Sequence, residues 1–172
     1  GGGKHYSLLQ HSPLALAAHP DFRVIRIEGT REPLAFYGLN VECTKRGAVS
    51  CDTNIEIADS RNIRIYGTKR EGNSPTIILR DSRNVAYYGL GRQVSNPFRG
   101  SGGLLQIYGD SADIVIAPAI PDSIGSTPNG EPMLREQLAG GQTIEIAYPE
   151  CISVYKRGEI DDSMFAAEPA AK

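Results

Sequence analysis

The stretch Asn54-Ile-Glu-Ile-Ala-Asp59-Ser-Arg-Asn62-Ile-Arg-Ile-Tyr-Gly67 is answered, one turn later, by Thr76-Ile-Ile-Leu-Arg-Asp81-Ser-Arg-Asn84-Val-Ala-Tyr-Tyr-Gly89. Ile55 returns as Ile77, Asn62 as Asn84 and Gly67 as Gly89, each 22 residues on. Within each copy apolar and polar residues alternate on either side of a short polar corner, the period of strands with one buried face. A short unit of this kind cannot bury its apolar face alone, so a fixed period predicts units stacked on one another.

Working outward, 22 residues before Asn62 lies Asn40, and beyond a longer turn the same corner is met at Asp113. Asn and Asp tolerate the left-handed backbone of a tight corner, and an Asn amide can bond to its counterpart one unit away. Asn40, Asn62, Asn84 and Asp113 are therefore expected in single file. Parity puts Ile55, Ile57, Ile63, Ile65, Ile77, Leu79, Val85, Tyr87, Leu105, Ile107, Ile114, Ile116, Ile144, Ile146, Ile152 and Val154 inside. It puts Glu56, Ile78, Gln106 and Glu145 on one outer strip, and Glu42, Arg64, Ala86, Val115 and Ser153 on another, with Glu42 beside Arg64.

This pattern resembles the coils of right-handed parallel β-helices of the pectin-lyase-like superfamily. The resemblance spans residues 22–158 and implies an all-β solenoid of five to six coils with an Asn ladder, long turn insertions and a polysaccharide ligand. It brings no local catalytic signature: neither the clustered aspartates of the hydrolases nor the Arg-x-Pro-x-x-Arg of the lyases is present, and a calcium site, common among the lyases, has no motif here.

The 172 residues read as one domain, with an insertion at 118–142 in which 131–138 forms a helical turn or two, and a loosely held tail at 161–172. The opening residues lack a cap for a first coil, so the chain reads as a piece of a longer protein or as one whose end is covered by missing N-terminal coils or by another subunit. Net charge is −2 with a pI near 5.9, so no general basic field exists to draw nucleic acid. No apolar run is long enough to span a membrane. Cys43, Cys51 and Cys151 are too few for a disulfide scaffold and read as small apolar residues; a Cys43–Cys51 pair stays open if the protein is exported. The three histidines lie in residues 1–21 at spacings that fit no metal motif, and no metal ligand set is assigned.

Basic pairs recur at turns: Lys45-Arg46, Lys69-Arg70 and Lys156-Arg157. Stacked along one edge, and joined by Arg92 and Arg99 from the next turns, Lys45, Arg46 and Arg70 would grip an acidic polysaccharide through paired donors. Asp52, Lys69 and Glu71 are the candidates for proton transfer. Three readings follow: an extracellular or cell-surface lyase, hydrolase or epimerase acting on an acidic polysaccharide; a non-catalytic carbohydrate-binding solenoid; or a structural assembly module. The residues leave open whether the chain is an enzyme.

Overall fold

The computed structural model describes residues 19–43, 51–72, 74–92, 101–117, 130–147 and 154–166. The first strands in chain order are β1 (His19–Glu28), β2 (Leu34–Tyr37), β3 (Asn40–Cys43), β4 (Cys51–Ala58), β5 (Arg61–Gly72) and β6 (Ile77–Arg80). They are followed by β7 (Arg83–Arg92), β8 (Leu105–Gly109), β9 (Ala112–Ala117), β10 (Leu134–Leu138), β11 (Thr143–Ile146) and β12 (Tyr155–Arg157). The fold is all-β. One sheet runs β1-β4-β6-β8-β10-β11 and the other β12-β9-β7-β5-β2, with β3 also paired to β5. From β3 to β10 successive strands thus alternate between two sheets, and most pairings are parallel.

The repeated Ile and Leu positions explain the registry. Ile25, Ile55, Ile77, Leu105 and Leu134 lie opposite one another in turn, as do Ile27, Ile57, Leu79 and Ile107. In the second sheet Leu34, Ile63, Val85 and Ile114 align, beside Phe36, Ile65, Tyr87 and Ile116. From Ile55 to Ile116 every position expected inside is buried. Burial of each such side chain contributes roughly 1.5–3 kcal/mol, and slipping a strand by one residue would expose its whole column.

Several expectations are corrected. Asn40 lies opposite Lys69, not Asn62, because Leu34 takes the place opposite Ile63 and the first strand pair runs 29 residues ahead of the next. Glu42 pairs with Glu71 by register, so it is not beside Arg64, whose neighbours are Ala35 and Ala86. Residues 134–138 form strand β10 rather than a helical turn, since Leu134 and Glu136 alternate inward and pair with β8. The last two strands do not repeat the earlier sense: β11 folds back antiparallel on β10, and β12 lies antiparallel on β9. Val154 is 53% exposed, while Ile152 and Ser153 lie outside the described residues. The outer strip holds, running Glu56, Ile78, Gln106, Arg135 and Glu145.

At the end of the apolar columns a polar group takes over. Glu136 stands opposite Ile107 and is fully buried. Its carboxylate accepts from the Tyr155 hydroxyl, and Arg157 Nη2 sits 2.6 Å away in a close ion pair. No helix among the described residues is long and apolar enough to cross a membrane.

Candidate functional site

The Asp-Ser-Arg-Asn corner joins the two sheets. Asp59, Asn62, Asp81, Asn84 and Asp113 all have φ between 43° and 62°, the left-handed region that Asn and Asp enter at least cost among residues with a side chain. Asn84 lies between Asn62 and Asp113: its Nδ2 donates to Asn62 Oδ1 at 2.9 Å, and Asn62 Nδ2 donates to the Arg31 carbonyl at 2.8 Å. A second file of hydroxyls runs beside it. The Thr30 amide donates to Ser60 Oγ, the Ser60 amide to Ser82 Oγ and the Ser82 amide to Ser111 Oγ, at 3.1–3.3 Å. Each serine hydroxyl also donates to a carbonyl two or three residues back, at Ala58, Arg80 or Tyr108. Buried polar groups are thereby satisfied rung by rung.

Over these files lies a groove of about 530 Å³. Arg31, Arg61 and Arg83 line it, facing the carboxylates of Asp59, Asp81, Asp113, Glu159 and Asp161, with Ser60, Asn62 and Asn84 as its floor. Three cations against five anions give the lining a formal charge of −2. Several of the carboxylates are engaged: Asp59 pairs with Arg31 at 2.8 Å, Asp81 Oδ1 accepts from the Asp110 amide and Asp113 Oδ1 from the Glu159 amide. Arg61 and Arg83 are in register, exposed, and make no side-chain hydrogen bond or ion pair among the described residues.

Arg64 borders the groove and is fully buried although it points outward from β5. Its Nη1 donates to the carbonyls of Ile63 and Asn84, and its Nη2 to Asn84 Oδ1 and the Asp161 carbonyl. Its Nε meets Asp162 Oδ1 at 2.8 Å, and the Phe165 ring lies 4.4 Å from its guanidinium carbon. The segment 159–166, ending in a 3₁₀ turn at Ser163–Phe165, therefore crosses this face and is held down, which corrects the expectation of a loose tail there. Hydrogen bonds from Ser163, first from its side chain and then from its backbone, hold the Asp161 carboxyl below its ordinary pKa.

Beside Arg64 on the same face, Tyr37, Tyr66 and Tyr88 stack in register, with centroids 5.0 and 5.4 Å apart and planes within 16°. Burial, then the neighbouring Tyr37, raises the pKa of Tyr66. On the other sheet Glu56, nearly buried, takes Arg23 at 2.8 Å and Arg80 at 3.2 Å.

The residues assigned from sequence fall elsewhere. Asp52 is joined to Arg23 Nη2 at 2.8 Å. Lys69 is exposed, opposite Asn40 and Gly91. The backbones of Arg70 and Arg92 are in register, but their side chains and that of Glu71 lie outside the described residues, as do Lys45, Arg46 and Arg99 entirely. Lys156 and Arg157 lie opposite Val115 and Ile114, in other columns than Lys69 and Arg70, so these basic pairs do not share one file. The side chains of Cys43 and Cys51 are likewise outside the described residues. Among the described residues no group of three or more His, Cys, Asp or Glu is placed to hold a metal ion. The groove arginines were missed, although Arg61 and Arg83 recur inside the repeated corner itself. No family profile, curated protein or solved structure matches this chain.

Proposed function

We propose that this chain is a right-handed parallel β-helix of the pectin-lyase-like kind, outside the cell or on its surface, which holds a polysaccharide along its Asp-Ser-Arg-Asn corner. Strands that alternate between two sheets, parallel except at β11 and β12, support the solenoid, and crossovers between parallel strands are right-handed in nearly all proteins. The observation that carries the binding reading is the Arg61–Arg83 column: two forked donors on neighbouring strands, whose backbones lie about 4.8 Å apart, exposed and without side-chain partners among the described residues, over a floor of amides and a hydroxyl. Arginine, carboxylate and amide groups in alternation suit the paired hydroxyls of a sugar chain, and extended concave faces are what stacked repeats offer a polymer.

Affinity electrophoresis through gels containing neutral, uronate-rich or sulfated polysaccharides tests this. Wild-type protein is retarded by at least one of them, and the double variant Arg61→Ala/Arg83→Ala much less. Equal retardation of the two proteins, or none in any gel, overturns the reading.

The carboxylates of Asp59, Asp81 and Asp113 in the same groove favour a second reading, cleavage of the bound chain, since a carboxyl beside a substrate oxygen can move a proton. Release of unsaturated or reducing ends from any retarding polysaccharide, lost on Asp81→Asn, distinguishes processing from binding.

A further inference from the structure

Resting on that binding reading, we infer that the segment 159–165 occupies an anion subsite centred on Arg64, and that the carboxylate of an acidic glycan takes its place. Arg64 stands in a column whose neighbours on the parallel strands are Ala35, Ala86 and Val115, all small or apolar, with Lys156 of β12, paired to Glu159, at its far end, so one guanidinium stands among short side chains. That guanidinium is wholly buried, yet the carboxylate that meets it, Asp162, is 68% exposed. The strap meets the arginine with oxygens of the kind a uronate carries, a carboxylate oxygen on Nε and a carbonyl oxygen on Nη2, and adds the Phe165 ring over its plane.

The strap also sets the charge of the groove. With it docked, Glu159 and Asp161 contribute to a lining of formal charge −2. Without those two carboxylates three arginines face three acids in the lining, and the adjoining Arg64, once uncovered, tips the sign to positive. An acidic chain is thus repelled by the closed form and attracted by the open one. A site populated only part of the time binds with its affinity reduced by that fraction, so loosening the strap tightens binding.

The probes are a galacturonate oligomer and a neutral galactose oligomer of equal length. The variant Asp162→Ala/Phe165→Ala is expected to bind the uronate roughly tenfold tighter than wild type, with the neutral oligomer unchanged. In the wild-type protein, saturating uronate should speed hydrogen exchange of the Asp161 amide, which donates to Asn84 Oδ1, and of the Phe165 amide, which donates to the Asp162 carbonyl. If the variant does not fold, exchange in the wild-type protein decides. Uronate binding that leaves both amides and the variant's affinity unchanged overturns the strap and leaves the groove standing, provided Arg61→Ala/Arg83→Ala still weakens it. Binding abolished by Arg64→Ala but indifferent to Arg61 and Arg83 supports the subsite and sinks the groove. No binding of either oligomer to any form sinks both.

Discussion

Asn84 sits between Asn62 and Arg64, giving a hydrogen from Nδ2 to Asn62 Oδ1 at 2.9 Å while Arg64 Nη2 gives one to Asn84 Oδ1, also at 2.9 Å. One side chain therefore links the corner file to the buried cation, and through its bonds with Asp161 to the strap.

Replacing Asn84 with Ala should cost about 2–4 kcal/mol, the sum of buried groups left without partners and of an alanine held at positive φ. Asn84→Gly loses the same bonds but not the backbone conformation, so its urea-unfolding midpoint should lie between alanine and wild type. Equal midpoints for the two variants would remove the left-handed corner from the account.

The Glu136 cluster makes an opposite pair of predictions. Arg157→Met leaves a fully buried carboxylate with the Tyr155 hydroxyl but without its cation, and should cost about 3–5 kcal/mol. The double variant Glu136→Leu/Arg157→Met replaces the pair with apolar volume against Ile107 and should recover most of that loss, because a desolvated ion pair is often no better than a hydrophobic one. Thermal unfolding of the three proteins decides it.

Burial, and after it the hydrogen bond to Glu136, raises the pKa of Tyr155 above that of a free phenol. A folded-state pKa raised above the unfolded value means stability that is complete below the unfolded value, about 10, and lost as pH climbs beyond it. Tyr155→Phe should remove that alkaline loss, seen as a flatter stability curve above about pH 10.

Asp161 behaves in the opposite sense. Its carboxyl is held below the ordinary value by Ser163, so its share of the strap's docking is present above the unfolded carboxylate pKa and lost as pH falls through the folded one. Protection of the Ser163 and Phe165 amides, measured against their intrinsic exchange rates, should therefore fall below about pH 4, before protection in β5 and β7 does. Simultaneous loss across all of them would mean that the strap has no separate opening.

At Gly109, with φ 66°, a Cβ would run into the Asp81 carboxylate. Gly109→Ala should cost about 1–3 kcal/mol through strain at positive φ plus the clash. Adding Asp81→Gly, which removes the carboxylate and still suits the φ of 48° there, should relieve the clash but not the strain at residue 109.

The repeat was legible because neighbouring units carry the same residues at the same interval, so Ile55, Ile77 and their partners identify the buried columns from periodicity alone. Asn40 was misread for the converse reason. Between β2 and β5 the interval is 29, not 22, and Tyr37 also precedes Tyr66 by 29, which hid both the true register and the tyrosine stack. Arg64 was unreadable locally. Parity assigns it outward, correctly, but what covers it comes from a segment almost a hundred residues away, and its one trace in sequence is the run Glu159-Ile-Asp161-Asp162.

The bonds from Thr30 to Ser60, Ser82 and Ser111 all run across the strands, in the direction in which the sheets were assembled. Tension applied in that direction would reach each link one after another, so the weakest yields first and the rest are spared; tension along the strands would load them side by side. A tether under mechanical load would thus hold best when drawn parallel to β5 and β7.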